Sequence, residues 1–281
     1  MFEAILRWLS RRRLRTLHAM GAALGWLAWA LSRSYRVRLT ENAALAGIPA
    51  AARRQCVAES GRLVMELPRL WLRPGGQPIE DPVRWEGVEH VESALGQPGG
   101  ILILTPHLGC FEMAAQSYAE RYGARQPLTV LYRPARQAWL RTLEEAARAR
   151  PHLATAPATL AGVRQLLRAL KRGETIGLLP DQVPPQGQGV WAPFFGRPAY
   201  TMTLAARLSA QTGARVLLLW CERLARGAGY VVRVQPLRAG WPEGEEAAAA
   251  ALNAAMEELI GQHPGQYLWG YHRYKSPRGA A

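Results

Sequence analysis

The residues best suited to chemistry are His107 and Glu112, which follow an apolar run, ILILT, at residues 101–105. An imidazole with an unperturbed pKa of about 6.5 can take a proton at neutral pH. A carboxylate bonded to the other ring nitrogen would fix the tautomer and stabilise the imidazolium that forms. The spacing therefore predicts a general base, His107, oriented by Glu112 without a nucleophilic serine. A core histidine whose hydrogen bonds are satisfied is the alternative.

Polar residues also follow two other predicted strands. Arg133 comes after the apolar segment 128–132, and Asp181 and Gln182 come after 175–179. In open α/β sheets, ligands bind at the carboxyl ends of the strands. A guanidinium suits bidentate binding of a phosphate, so Arg133 is a candidate for substrate binding. A solvated surface arginine and a loop-capping aspartate are the alternatives for Arg133 and Asp181.

The elements that must position these residues alternate between strand and helix. Apolar runs and three-and-four spacing predict strands at 83–88, 101–105, 128–132, 175–179, 216–222 and 230–235, and helices at 41–73, 91–95, 110–122, 138–148, 160–171, 202–212 and 244–261. Residues 190–195 lead into a turn at Gly196. This order predicts an α/β fold with a largely parallel central sheet flanked by helices.

Five ordered blocks resemble one family. They are HLGCFE at 107–112, YRP at 132–134, LPDQ at 179–182, PFFGRPAYT at 193–201 and YLWGYHRYK at 267–275. His107 and Glu112 after an apolar strand are similar to the signature of the lysophospholipid acyltransferase superfamily. The other blocks resemble its lipid A branch, the lauroyl and myristoyl transferases. The likeness runs from about residue 100 to the end of the chain.

The resemblance implies a glycerolipid acyltransferase-like fold and direct acyl transfer. The donor is expected to be an acyl carrier protein thioester, with acyl-CoA as the alternative, and the acceptor a hydroxyl of an anionic glycolipid, a lipid A precursor. No cofactor, metal or nucleotide is expected. The resemblance also places Asp181 and Gln182 beside the catalytic residues.

Other residues of these blocks are candidates for binding. The Gly109 backbone amide is a candidate donor to the oxyanion. Phe195 and Gly196 are expected along the acyl path, although a turn packed on the core is an equal alternative. Arg273 and Trp269 would pair a phosphate contact with an aromatic platform, although a solvated basic face is the alternative.

The chain departs from the family pattern at three positions. Cys110 and Phe111 stand where the branch often has Asn and Trp, and Tyr274 stands where it often has a second Arg. These differences leave the acceptor open among a lipid A precursor, a lysophospholipid, an ornithine lipid and a phosphoinositol mannoside. Cys110 as an acyl-accepting nucleophile is a minor alternative, since a free cysteine is usually small apolar filler.

The net charge is +14, from 35 basic and 21 acidic residues, and only Lys171 and Lys275 are lysines. Such a charge favours phosphate-rich or acidic partners. Half of the excess lies in residues 1–40, where arginines flank the apolar segment 19–31. At 13 residues this segment is shorter than the roughly 20 that a spanning helix needs. We expect an interfacial anchor on anionic membrane lipids, with a single span as the alternative.

The expected organisation is a basic, apolar membrane-anchoring segment at 1–40 and an acyltransferase catalytic domain at 41–281. Arginines stand where a signal peptide would have its cleavage site, so the segment is expected to be retained. Three scattered cysteines suggest neither a disulfide framework nor a zinc site and fit a reducing compartment. The expected location is the inner, cytoplasmic membrane with the catalytic domain facing the cytoplasm. A nucleic-acid binder is the non-enzyme alternative, which the apolar anchor disfavours.

Overall fold

The computed structural model describes residues 2–135 and 137–279. The helices of this part are α1 (Phe2–Ser10), α2 (Leu14–Leu31), α3 (Arg33–Leu45), α4 (Ala50–Trp71), α5 (Val88–Leu95), α6 (Phe111–Tyr122), α7 (Ala138–Arg148), α8 (Leu160–Lys171), α9 (Leu204–Thr212) and α10 (Glu245–Gln262). The strands are β1 (Val83–Glu86), β2 (Ile101–Leu104), β3 (Leu128–Tyr132), β4 (Leu153–Pro157), β5 (Thr175–Leu178), β6 (Gly189–Phe194), β7 (Arg197–Met202), β8 (Arg215–Arg223) and β9 (Tyr230–Pro236).

Seven of the described strands form one sheet in the order β1-β9-β8-β2-β5-β3-β4. All neighbours in it are parallel except β8 and β9. The central strands β2 and β5 are buried along their whole length. This burial explains the apolar run of β2 and the absence of charged residues from β5, because helices cover both faces of a parallel sheet. The predicted α/β fold with a largely parallel sheet is confirmed.

Three details differ from the sequence-based expectation. The helix predicted at 41–73 is two helices, because α3 ends at Leu45 and Gly47 adopts a left-handed φ of 72° ahead of Pro49. Strand β4, LATAP, was not predicted, since alanine and threonine give it no apolar run. The turn at Gly196 joins β6 and β7 into a separate two-stranded hairpin.

The apolar amino-terminal segment lies within α2, which packs along α4. The contact is backbone to backbone, because a methyl group on Gly61 would clash with the backbones of Gly21 and Gly25. Within the residues described, none of the helices combines the length and the apolar character that crossing a bilayer requires. The division into segments 1–40 and 41–281 stays a prediction.

A buried network of charges ties α2 and α4 to the sheet. The Arg223 guanidinium, 1% exposed, donates to Glu59 Oε2 at 2.7 Å and to both Glu66 oxygens at 2.6 and 3.0 Å. Glu66 also accepts from the Tyr230 hydroxyl at 3.1 Å and lies 3.2 Å from His18 Nε2. Burial opposes ionisation of Glu66, but Arg223 and His18 outweigh it and lower its pKa from 4.5 to about 2.

Because folding lowers the pKa of Glu66, the stability it contributes is present above pH 4.5 and is lost as the pH falls towards about 2. Replacing Glu66→Gln leaves a buried cation short of its partner and should cost about 3–5 kcal/mol of unfolding free energy at pH 7. Denaturant unfolding between pH 7 and pH 2.5 measures both effects. The variant should also lose stability less steeply in acid.

The matched control is Glu80→Gln, because Glu80 is exposed and pairs with Arg69 at the surface. Its expected effect is under about 1 kcal/mol. Equal unfolding free energies of Glu66→Gln and Glu80→Gln at pH 7 would show that the buried charge network does not stabilise the fold.

Candidate active site

The register of two neighbouring parallel strands brings His107 and Asp181 together. Leu104 at the end of β2 pairs with Leu178 at the end of β5. Three residues further along each chain stand His107 and Asp181, each directly after a proline. Since parallel strands in register end at the same edge of a sheet, the two side chains meet there.

Asp181 accepts two hydrogen bonds from His107. Its Oδ1 lies 2.7 Å from the imidazole Nδ1 and its Oδ2 accepts from the His107 backbone N–H at 2.9 Å. Burial of Asp181, which is 1% exposed, opposes its ionisation, but the charge and hydrogen bonds of His107, with Arg273, outweigh burial and lower the pKa of Asp181. An ionised carboxylate only accepts, so the proton of a neutral His107 sits on Nδ1 and the lone pair on Nε2.

Glu112 does not hold the imidazole, and the expectation that it bonds the second ring nitrogen is wrong for this structure. Its Oε1 lies 2.5 Å from Arg148 Nη2, and the Arg148 guanidinium stacks over the Tyr132 ring. The physical reason is position: Glu112 lies in the first turn of α6, while Asp181 follows β5 in the turn beside the one that carries His107. Glu112 therefore joins the wall of the site through Arg148.

The carboxyl-terminal block positions the turn that carries His107. Leu268 N–H donates to the His107 carbonyl at 3.1 Å, and Leu108 forms a bridge with Tyr267. Gly109, at a φ of 60°, donates its N–H to the Gln266 carbonyl at 3.1 Å, and a side chain there would clash with the Cys221 carbonyl. The Gly109 amide is thus already used, which corrects its assignment as an oxyanion donor.

A cleft of about 650 Å³ opens beside His107. Its walls are mostly apolar, with residues of β3, α8 and α9 such as Val130, Leu167 and Leu208. Among its polar residues are Glu112, Arg133, Arg148, Arg164, Gln182 and Arg207. Such a lining suits a ligand with a long apolar part and an anionic part. Of the residues predicted for binding, Arg133 and Gln182 line this cleft.

Three predicted binding residues lie elsewhere. Phe195 and Gly196 form the tight turn of the β6–β7 hairpin, where both have positive φ, and Phe195 packs on Trp269 with ring centroids 5.5 Å apart. Arg273, 2% exposed, donates to the Tyr200 carbonyl and the Thr201 hydroxyl, each at 2.7 Å. None of the three lines the cleft. The buried hydrogen bonds of Arg273 are structural, which corrects its assignment, whereas the assignment of Phe195 and Gly196 to the acyl path stays a prediction.

Cys110 is fully buried beneath the site. Burial, with the negative charge of Glu66, raises the pKa of the Cys110 thiol well above its ordinary value. Because the thiolate is the nucleophile, this environment disfavours the minor alternative of an acyl-cysteine.

The profile of the bacterial lipid A biosynthesis acyltransferase family matches residues 4–276. The chain belongs to that family. The lipid A biosynthesis palmitoleoyltransferase of Escherichia coli is 28% identical over 232 residues, which cover 81% of this chain and 74% of that protein. The lauroyltransferase of the same organism is 27% identical over 225 residues, covering 78% and 70%. A lipid A biosynthesis acyltransferase of Haemophilus influenzae is 25% identical over 187 residues, covering 65% and 56%.

Membership of the lipid A acyltransferase family makes the protein an O-acyltransferase of lipid A biosynthesis. The resemblance inferred from the ordered blocks is therefore confirmed. Sequence reasoning missed the hydrogen bond of Asp181 to His107 and the pairing of Arg148 with Glu112. The first had a signal, since the strand ends LTPH at 104–107 and LLPD at 178–181 carry proline at the same offset. The second had none, because Arg148 is one of 33 arginines.

Asp181→Asn should lower acyl transfer by a factor of about 10² to 10⁴, because an amide can present N–H to Nδ1 and favours the other tautomer. Glu112→Gln should also lower transfer, but it should leave the His107 tautomer unchanged. The measurements are steady-state transfer and the ¹⁵N shifts of the labelled imidazole. A changed His107 tautomer in Glu112→Gln together with an unchanged one in Asp181→Asn would reverse the assignment.

Proposed function

We propose that the protein transfers a fatty acyl chain from an acyl carrier protein thioester to a hydroxyl of a lipid A precursor, with His107 as the general base. The supporting observation is the imidazole held by Asp181 at Nδ1, with its Nε2 side towards a largely apolar cleft. In the proposed step Nε2 takes the proton of the acceptor hydroxyl and the oxygen attacks the thioester carbonyl. The C–O bond forms, the C–S bond breaks, and the leaving thiolate takes the proton from Nε2.

The proposed donor rests on charge at the mouth of the cleft. Arg133, Arg164 and Arg207 line it and are exposed. Exposed guanidiniums steer an acidic carrier protein or bind the phosphate of its prosthetic group. They serve equally for the phosphates of acyl-CoA, so the two donors are compared directly in the assay. The mechanism requires no metal or organic cofactor.

Wild type should transfer acyl chains from carrier-protein thioesters to a tetra-acylated lipid A precursor, and His107→Ala should lose at least about 10²-fold of that activity. His90→Ala, on the partly exposed helix α5 and away from the cleft, is the matched control and should keep it. Product mass spectrometry with thioesters of several chain lengths measures transfer. Acylation of a lysophospholipid but not of the precursor would contradict the assignment of a lipid A precursor as the acceptor. Full activity in His107→Ala would contradict the assignment of His107 as the general base.

We also propose that the amino-terminal helices bind the surface of an anionic membrane. On α2, one stripe packs on α4, while Leu24, Leu27 and Leu31 are exposed at three-and-four spacing. On α1, Ile5 and Trp8 are about half exposed. Apolar side chains on the surface beside arginines suit a helix lying at the headgroup boundary. This location would bring the cleft to its lipid acceptor at the inner membrane.

A variant carrying Trp8→Ser, Leu27→Ser and Leu31→Ser should bind vesicles of phosphatidylglycerol and phosphatidylethanolamine at least about tenfold more weakly, since each side chain loses apolar burial. Flotation in a density gradient measures binding, and 0.5 M salt should weaken it further. Trp191→Ser, an exposed tryptophan on the hairpin, is the control. Equal flotation of the triple variant and the control would contradict this orientation.

A further inference from the structure

Gln182 lies on the nitrogen that the proposed reaction uses. Its side-chain amide nitrogen is 3.0 Å from His107 Nε2. Because Asp181 takes the Nδ1 proton, Nε2 of the neutral imidazole has a lone pair and no proton. The amide N–H of Gln182 therefore donates to the base itself.

An imidazole nitrogen has one lone pair in the ring plane and accepts one strong hydrogen bond. The hydroxyl of an acceptor must donate to that lone pair before its proton can be taken. Gln182 and the acceptor thus compete for the same position. The resting enzyme has its base occupied by a neutral side chain of its own.

We propose that Gln182 is a cap on the base, which keeps water away from His107 Nε2 while a thioester is bound and yields only to the acceptor hydroxyl. This inference rests on the proposed function of His107. Without the cap, water would donate to Nε2, lose its proton there, and attack the thioester carbonyl. The C–O bond would form, the C–S bond would break, and the thiolate would take the proton, releasing a free fatty acid.

The local structure lets the side chain move while the backbone stays. Asp181, directly before it, is held by two hydrogen bonds to His107, and the Val183 N–H directly after it donates to the Tyr271 hydroxyl at 3.0 Å. The Gln182 side chain itself lines the cleft and is partly exposed. Rotation about its side-chain torsions would uncover Nε2 without a change in the loop.

The neighbouring charges do not supply an alternative cap. Asp181 is engaged at Nδ1, with the buried Arg273 behind it, and Glu112 is paired with Arg148. Arg133 is exposed at the cleft, and no hydrogen bond joins it to His107 in the described part of the chain. Tyr267 is buried, and burial together with the charge of Asp181 raises the pKa of its hydroxyl well above the ordinary value. Gln182 is therefore the described side chain that donates to Nε2.

The experiment compares wild type with Gln182→Met, which keeps the length of the side chain and removes its N–H. Gln186→Met is the matched control, since Gln186 is exposed on the same loop and does not line the cleft. Two rates are measured: release of free fatty acid from a carrier-protein thioester without acceptor, and transfer to the lipid A precursor. Thermal unfolding verifies that each variant is folded.

Gln182→Met should raise the ratio of hydrolysis to transfer about fivefold, the factor by which one net hydrogen bond shifts a population. The control should keep the wild-type ratio. A ratio unchanged in Gln182→Met, or hydrolysis and transfer lowered together, would overturn the cap. The hydrolysis measurement needs no lipid acceptor. A wrong assignment of Gln182 can therefore be distinguished from a wrong assignment of the acceptor.

Gln182→Glu adds a readout that a purely structural role would not move. A carboxylate at Nε2 favours the protonated imidazole, so the rise of transfer with pH should shift to higher pH. Activity should therefore be low at pH 7 and recover towards pH 9. A pH profile identical to that of wild type would show that residue 182 does not contact the base in solution.

Discussion

The fold around the site depends on the burial of one guanidinium. Arg223 lies at the end of β8 with its side chain 1% exposed, so water satisfies none of its N–H groups. A buried cation is tolerated only when protein acceptors replace its hydration. Here Glu59 and Glu66 come from α4, and the carbonyl of Gly109, 3.2 Å away, comes from the turn after His107. The hydrogen bonds of the Arg223 guanidinium therefore connect α4, β8 and the turn that carries His107.

The same constraint explains why α2 packs closely on α4. Besides its two contacts with Arg223, Glu66 is contacted by Tyr230 and by His18 of α2. The close approach of α2 and α4 at Gly21, Gly25 and Gly61 brings His18 within reach. A helix that the sequence predicts to be an anchor thus also contributes a buried contact to Glu66 beneath the site, while Leu24, Leu27 and Leu31 on its other face are exposed.

The parts of the molecule that depend on local pattern were predictable from the sequence. The buried strand β2 is a continuous apolar run, and the helices have regular apolar spacing. The α/β fold and the placement of His107 at a strand end therefore followed from the sequence. The partners of His107 did not follow, because the choice between Glu112 and Asp181 depends on strand register. Likewise Glu59 and Arg223 are 164 residues apart, and no local pattern links them.

Arginine composition was the least specific signal, for a physical reason. Five N–H donors in a rigid fork let one guanidinium satisfy several buried acceptors as well as bind a phosphate. Three arginines bond to buried acceptors inside the protein in this way: Arg150, Arg223 and Arg273. Arg150, for example, donates to the carbonyls of Leu70 and Pro74, which are distant in sequence. A net charge of +14 counts these residues together with the exposed ones. An anionic partner can reach only exposed arginines, among them those at the cleft and along the first helices, so exposure decides which positive charges bear on function.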